Sequence, residues 1–370
     1  MTRETADQRF RTVGDGSTLA LEETFYREEI QLASRNRGMP LEALRYPITP
    51  TGLHYLLTHY DIPAVDVNNW RLEIGGLVAN PLSLTLEDIK SRPSRTLLVT
   101  MECAGNGRGL LNPRPISQPW LLEAIGTAEW TGAPLGECLE EAGISEQAGE
   151  ILFTGLDQGV QGDEVQYYQR SLSVREAMQD EVLLAYQMNG QPLEPQHGYP
   201  LRLLVPGWYG MTSVKWLDRI EAIGDPFQGY QMVRTYRYLQ TADDPGEPVT
   251  LIKVRGLMIP PGIPDFLTRT RLLPPGPVVL TGRAWAGPLR IAKVEVSTDG
   301  GSAWMEATLG DPVSPVAWSG WTSQWDARPG HHELLVRATD TEGNVQPVEQ
   351  SWNFQGMGNN MTQRVEVLVE

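Results

Sequence analysis

The chain has 370 residues, 41% of them hydrophobic and 21% charged, with 11 Trp. That composition excludes a disordered chain and is enough to fill two domain-sized cores. Thirty basic against 46 acidic residues give a formal charge of -16, which repels a phosphate backbone and an anionic lipid surface, so neither nucleic acid nor a membrane is an expected partner.

Residues 1–47 are rich in Arg and Glu, carry no sustained apolar face and read as an N-terminal arm or a short surface helix. They contain no apolar leader, and no later run of about 18 apolar residues could span a bilayer, so a soluble cytoplasmic protein is expected, or a periplasmic one if a leader has been trimmed. From Trp70 the signals alternate. Residues 70–74 have the period of a strand, and 85–90 open with the capping pattern of a short helix. Residues 95–101 form an apolar run suited to a buried strand, which delivers Cys103 at its end. Residues 135–143 read as a helix closed by glycine, 150–154 as a strand and 174–180 as a helix, giving a mixed domain over 48–240.

Residues 241–248 are polar and turn-forming, as linkers tend to be. Helical periodicity then disappears. Short alternating strands at 277–285, 291–297, 332–338 and 364–369, with turns such as Asp299-Gly300-Gly301, predict a β-sandwich over 241–370. His331 and His332 fall in a predicted exposed turn.

Cys103 and Cys138 are the two cysteines, too few for a disulfide framework and without the paired spacing of a zinc ribbon. Cys138 lies within the predicted helix and reads as packing. Cys103 enters Ala104-Gly105-Asn106-Gly107, whose small residues let backbone amides approach a bulky ligand. A soft thiolate suits a redox metal, and Arg108 can bind phosphate bidentately. A lone cysteine after a buried strand is also commonly a small core residue, so periodicity leaves both readings open. His197, Arg202 and Lys215 lie among glycines and prolines, where loops present polar groups to a ligand.

Cys-Ala-Gly-Asn at 103–106, Leu-Leu-Ala-Tyr-Gln-Met-Asn-Gly at 183–190, His-Gly-Tyr-Pro-Leu-Arg at 197–202 and Val-Lys-Trp-Leu at 214–217 resemble, in order and spacing, the sulfite oxidase family of molybdopterin enzymes. The resemblance implies an α+β chain: a mixed α/β molybdopterin-binding domain followed by an all-β immunoglobulin-like sandwich that dimerises. It implies molybdenum and molybdopterin as cofactors, with no haem domain in this chain. Cys103 would ligate the metal, with Tyr55, His59, Arg108, Asp157, His197, Arg202, Ser213 and Lys215 around the pterin and its phosphate. Tyr236 falls at the distance of the family's active-site tyrosine, with Tyr238 as a rival. The implied activity is two-electron oxygen-atom transfer to or from a small molecule, with electrons passed to an external acceptor such as a small cytochrome, a quinone or oxygen.

The chain departs from the pattern at Leu57, where sulfite-oxidising members carry an arginine, and at Val316, which stands for a second one. Losing both charges points to a less charged substrate, such as a sulfoxide, an N-oxide or a small organic molecule, unless Arg237 supplies a substitute cation. Two other readings compete: a cysteine nucleophile with His59 or His197 as its base, and a cofactor-carrying protein without turnover.

Overall fold

The computed structural model describes residues 26–370. Two sheets build the first half. One has the strand order Leu82–Leu84, Leu72–Gly76, Leu217–Ile223, Glu150–Gln161 and Glu164–Ser173. The other runs Arg95–Glu102, Ile125–Pro134, Leu183–Met188 and Gln191–Pro192, with Arg202–Leu204 paired to Leu183–Met188. Apart from the parallel contact of Leu72–Gly76 with Leu217–Ile223, these pairings are antiparallel.

Short helices follow the local chemistry. Thr85 caps Leu86–Lys90: its side chain accepts from Asp88 N while Asp88 reaches back to the cap. Leu135–Ala142 ends at Gly143 in the left-handed conformation, φ 67, where a glycine avoids the Cβ clash. The helix expected over 174–180 is a single turn, Val174–Ala177, after which the chain is drawn into the buried strand Leu183–Met188.

The second half is a sandwich of a four-stranded sheet, centred on Gly276–Trp285 and Ser319–Ala327, and a six-stranded sheet, centred on Gly330–Asp340 and Gln363–Val369. Alternation puts Leu280, Trp321, Trp325, Leu334, Val336, Val365 and Val367 into the core between them. His331 and His332 lie on the strand Gly330–Asp340, not in a turn; His331 is exposed, whereas the His332 ring packs edge-on to Trp325 at 5.1 Å. Cys138 is fully buried on its helix, as expected of packing.

The N-terminal stretch is more than a surface arm. Met39, Ala43 and Leu44 are buried in the main core, and Glu29 of the helix Arg27–Arg35, 0% exposed, is paired with Arg114. The part of the expected arm before Tyr26 lies outside the described residues.

Candidate functional site

The strand Arg95–Glu102 carries Cys103 to a tight turn. Cys103 N donates to Ala124 O (2.9 Å), and Cys103 O accepts from Asn106 N (2.9 Å), which closes the turn. Asn106 braces it further, donating to Glu102 Oε1 (3.0 Å) and accepting from Ala124 N (3.1 Å). Gly107 has φ 88, which favours glycine, and a Cβ at Gly105 would meet the Arg108 guanidinium at 2.7 Å and displace it.

Cys103, Leu57 and His59 form the wall shared by two cavities. Eight of the ten residues singled out from the sequence line the first: Tyr55, His59, Cys103, Asp157, His197, Arg202, Ser213 and Lys215. Arg202 is 4% exposed; it donates to His197 O (3.0 Å) and Ser213 O (3.2 Å) and lies 4.8 Å from the Trp130 ring. Lys215 Nζ donates to Leu57 O (2.8 Å) and Gln196 O (3.0 Å) and sits 4.1 Å over the Trp216 ring. Trp216 holds φ 50, a conformation uncommon outside glycine, and is anchored by its Nε1 donating to Pro195 O (2.7 Å).

Burial sets the charges of this cavity. It pushes the Asp157 carboxyl up to about 7 and draws the Lys215 ammonium down to about 7. The imidazoles are drawn down further, His59 to about 3, His54 to about 4 and His197 to about 2, so all three are neutral at physiological pH. Asp157 Oδ1, Arg202 Nε and His54 Nε2 are buried without a hydrogen-bond partner. Buried polar atoms are rarely left unpaired, and three around one cavity mark a place for a polar ligand. Among the described residues no group of three or more His, Cys, Asp or Glu could hold a metal ion unaided. A metal beside Cys103 therefore needs further ligands from a bound cofactor, and the cationic, hydrogen-bonding walls fit a phosphorylated pterin.

Arg108 and Tyr236 line the second cavity, not the first. The Arg108 guanidinium donates to Gln355 O (2.8 Å), Gln118 O (3.0 Å) and Met357 Sδ (3.3 Å). The turn at 105–107 thus points it to the opposite side of Cys103 from Arg202 and Lys215, the two other cations expected around the pterin. Tyr236, at φ 57, shares a hydrogen bond with Nε2 of His59, while Tyr238 lines neither cavity and instead lies under Lys253 Nζ at 4.4 Å. Val316 lines neither cavity; its carbonyl accepts from Thr100 N (3.1 Å), which places it against the strand leading to Cys103. Arg237 is tied to Met232 O (3.2 Å), Gly246 O (2.7 Å) and Pro245 O away from both cavities, so it replaces no missing cation.

A model of the oxidoreductase molybdopterin binding domain matches residues 59–231, and a model of the Mo-co oxidoreductase dimerisation domain matches residues 264–370. Mitochondrial sulfite oxidase of Rattus norvegicus is 34% identical over 346 residues, covering 87% of this chain and 62% of that protein. The chain belongs to the sulfite oxidase family of molybdopterin oxidoreductases. Within that family, inducible nitrate reductase [NADH] 2 of Glycine max is 32% identical over 366 residues, covering 90% of this chain and 41% of that protein. The chain thus spans less than two thirds of these curated relatives. The crystal structure of the sulfane dehydrogenase SoxCD from Paracoccus pantotrophus superposes with a TM-score of 0.78 at 27% identity, covering 100% of this chain and 92% of that one.

Several residues of this family member's site were missed from the sequence. His54, 2% exposed, stacks on Tyr55 at 5.1 Å and lines the first cavity, but it stands in an irregular stretch with no periodicity to place it. Glu102 and Arg255, each 1% exposed, form an ion pair at 3.1 Å beneath Cys103, and Trp285 Nε1 donates to Glu102 Oε2 (2.8 Å). Arg170 had a usable signal: it shares the buried phase of its strand with Tyr168 and Leu172, where an arginine is out of place.

Proposed function

We propose that this protein exchanges one oxygen atom and two electrons with a small molecule at a molybdenum ligated by Cys103 and a pterin, and passes the electrons to an external acceptor. One observation carries the reading: Cys103 is the common wall between a cationic, polar cavity with orphaned buried atoms and a second cavity that holds Tyr236. The cofactor, when bound, supplies the oxygen-atom and electron chemistry. The protein supplies the rest. Arg202 and Lys215 would hold the phosphate, and Asp157 and His197 would hydrogen-bond amino and ring nitrogens of the pterin, with Tyr55 and Ser213 completing the walls. On the other side, neutral His59 holds the Tyr236 hydroxyl at the cavity wall beside Cys103, and Leu57 excludes water there while offering no charge to an anion.

Metal and pterin analysis of protein made in a cofactor-producing host tests this. About one molybdenum per chain is expected, falling to near zero in Cys103→Ala with the fold retained; wild type that binds no molybdenum overturns the reading. A cysteine-nucleophile enzyme is disfavoured because burial pushes the Cys103 thiol up, away from the thiolate such chemistry needs, and His59 is engaged with Tyr236. Leu57 in place of a cation supports a substrate less charged than sulfite, and tight saturation by sulfite with an artificial acceptor would refute that part alone. The matched dimerisation domain supports a homodimer.

A further inference from the structure

The turn that carries Cys103 is held from two sides. Its own half of the chain supplies the bonds to Ala124 and Glu102 described above. On the other side the donors come from the second half. Ala104 O accepts from Gly358 N (2.7 Å), and Gly107 O accepts from Asn359 Nδ2 (2.7 Å) as well as from Leu110 N (3.0 Å). Asn106 O accepts from Arg255 Nη2 (3.4 Å). Asn359 is 1% exposed and stands 252 residues from Gly107 along the chain.

Gly358 and Asn359 belong to the loop 353–360, which leads into the last strand, Gln363–Val369. The loop is folded on itself before it meets the turn. Asn353 Nδ2 donates to Met357 O (2.9 Å) while its Oδ1 accepts from Met357 N (2.9 Å), and Gly356 N donates to Asn353 O (3.0 Å). Gly356 and Gly358 have φ 60 and 58, and a Cβ at Gly356 would meet Arg108 Cγ at 2.6 Å. Gln355 O and Met357 Sδ accept from the Arg108 guanidinium, so the loop also grips the residue that ends the turn. The Asn359 amide is oriented by its own bond: its Oδ1 accepts from Met361 N (3.0 Å), which leaves the NH₂ facing Gly107 O.

We propose that the loop 353–360 is a positioning element of the metal centre, with Asn359 as its central residue. It fixes the backbone of the Cys103 turn, and through that backbone the direction from which the Cys103 sulfur meets molybdenum. Groups that hold a metal ligand in place set its geometry and tune the metal. The second domain thereby serves the redox centre directly, in addition to any contact between chains. This rests on the ligation of molybdenum by Cys103 proposed above.

Asn359→Leu keeps most of the side-chain volume and removes the donor; Asn359→Ser is the milder variant if the first does not fold. Asn360→Leu is the control, because Asn360 is also buried but its Nδ2 donates to Val254 O (2.8 Å), away from the turn. Paramagnetic resonance of the half-reduced, molybdenum-loaded protein reads the geometry at the metal, and hydrogen exchange of amides 103–108 reads the turn in cofactor-free protein. Asn359→Leu should shift the molybdenum signal and speed exchange in the turn about tenfold, the scale of one lost hydrogen bond. Asn360→Leu should lower the melting temperature while leaving signal and exchange as in wild type. A folded Asn359 variant with the wild-type molybdenum signal overturns this inference and leaves the proposed function standing. So does an equal shift in Asn360→Leu, which would show the loop to be structural only. Wild type that binds no molybdenum overturns both.

Discussion

Arg170 is 3% exposed, and the titratable groups that act on it are Tyr168 and Tyr236, with no carboxylate among them. Its guanidinium lies 5.5 Å from the Tyr236 ring centre and donates to Gln231 O, while its Nε is buried without a partner. An unpaired buried cation is a cost to folding, so its benefit is expected in the site and not in stability. Arg170→Met should leave the melting temperature unchanged or raised yet lower turnover by about tenfold, the range of a desolvated cation–ring contact; a large fall in melting temperature would show a structural role instead. The buried imidazoles give a pH prediction at the same scale. His59, His54 and His197 have folded values of about 3, about 4 and about 2, below the unfolded 6.5, so between pH 6 and about 4.5 the unfolded state holds protons that the folded state lacks. Each costs about 1.4 kcal/mol of stability per pH unit of acidification. Asp157, raised from 3.8 to about 7, works in the opposite sense over that window. Cofactor-free protein should therefore lose about 2.8 kcal/mol per pH unit net, and Asp157→Asn should lose it about one and a half times as steeply; chemical denaturation at several pH values measures both.

At the scale of elements, the strand Arg95–Glu102 is fixed at its end by a buried network that crosses between the two halves of the chain: Glu102 with Arg255, Trp285 and Asn106. Removing one partner leaves a charge stranded. Arg255→Met should destabilise by about 3–5 kcal/mol and loosen the Cys103 turn, while Glu102→Gln with Arg255→Met should recover part of that loss, as urea unfolding of the single and double variants would show. The legible elements were those whose signal is local. The Thr85 and Asp88 box needs only four residues, and Gly143 needs only its own φ. The helix predicted over 174–180 stopped at Ala177 because its continuation is pulled into a sheet, and His331 and His332 joined a strand because pairing with Gln363–Val369 extends it to Gly330. Both are pairing effects invisible in a short window.

At the scale of the whole molecule, the hairpin carrying Ile263–Pro264 leaves Ile263 68%, Phe266 84% and Leu267 84% exposed, the last two within the stretch matched by the dimerisation model and Ile263 just before it. Apolar side chains grouped in this way suit a self-complementary contact. Light scattering should give twice the 41.1 kDa chain mass, and Phe266→Asp with Leu267→Asp should shift it to the monomer without loss of fold; a monomeric wild type would rule the homodimer out.

What the sequence by itself determined is the chemistry and its order along the chain: a thiol at the end of a buried strand, cations and imidazoles in glycine-rich loops, alternation in the second half, and a motif set specific enough to place the family. These are local properties, carried by residue type and spacing. Which side of Cys103 each group occupies was decided by the tertiary structure alone. Arg108 and Arg202 are the same residue type in similar loops, yet the left-handed turn at Gly107 sends one to the second cavity and the strand Arg202–Leu204 holds the other in the first. The same is true of Leu32 and Asn36, which become cavity wall only because Gln118 and Thr58, 82 and 22 residues away along the chain, come into hydrogen-bonding reach. Contacts at such separations depend on how sheets and loops close over one another, and no short stretch of sequence encodes them.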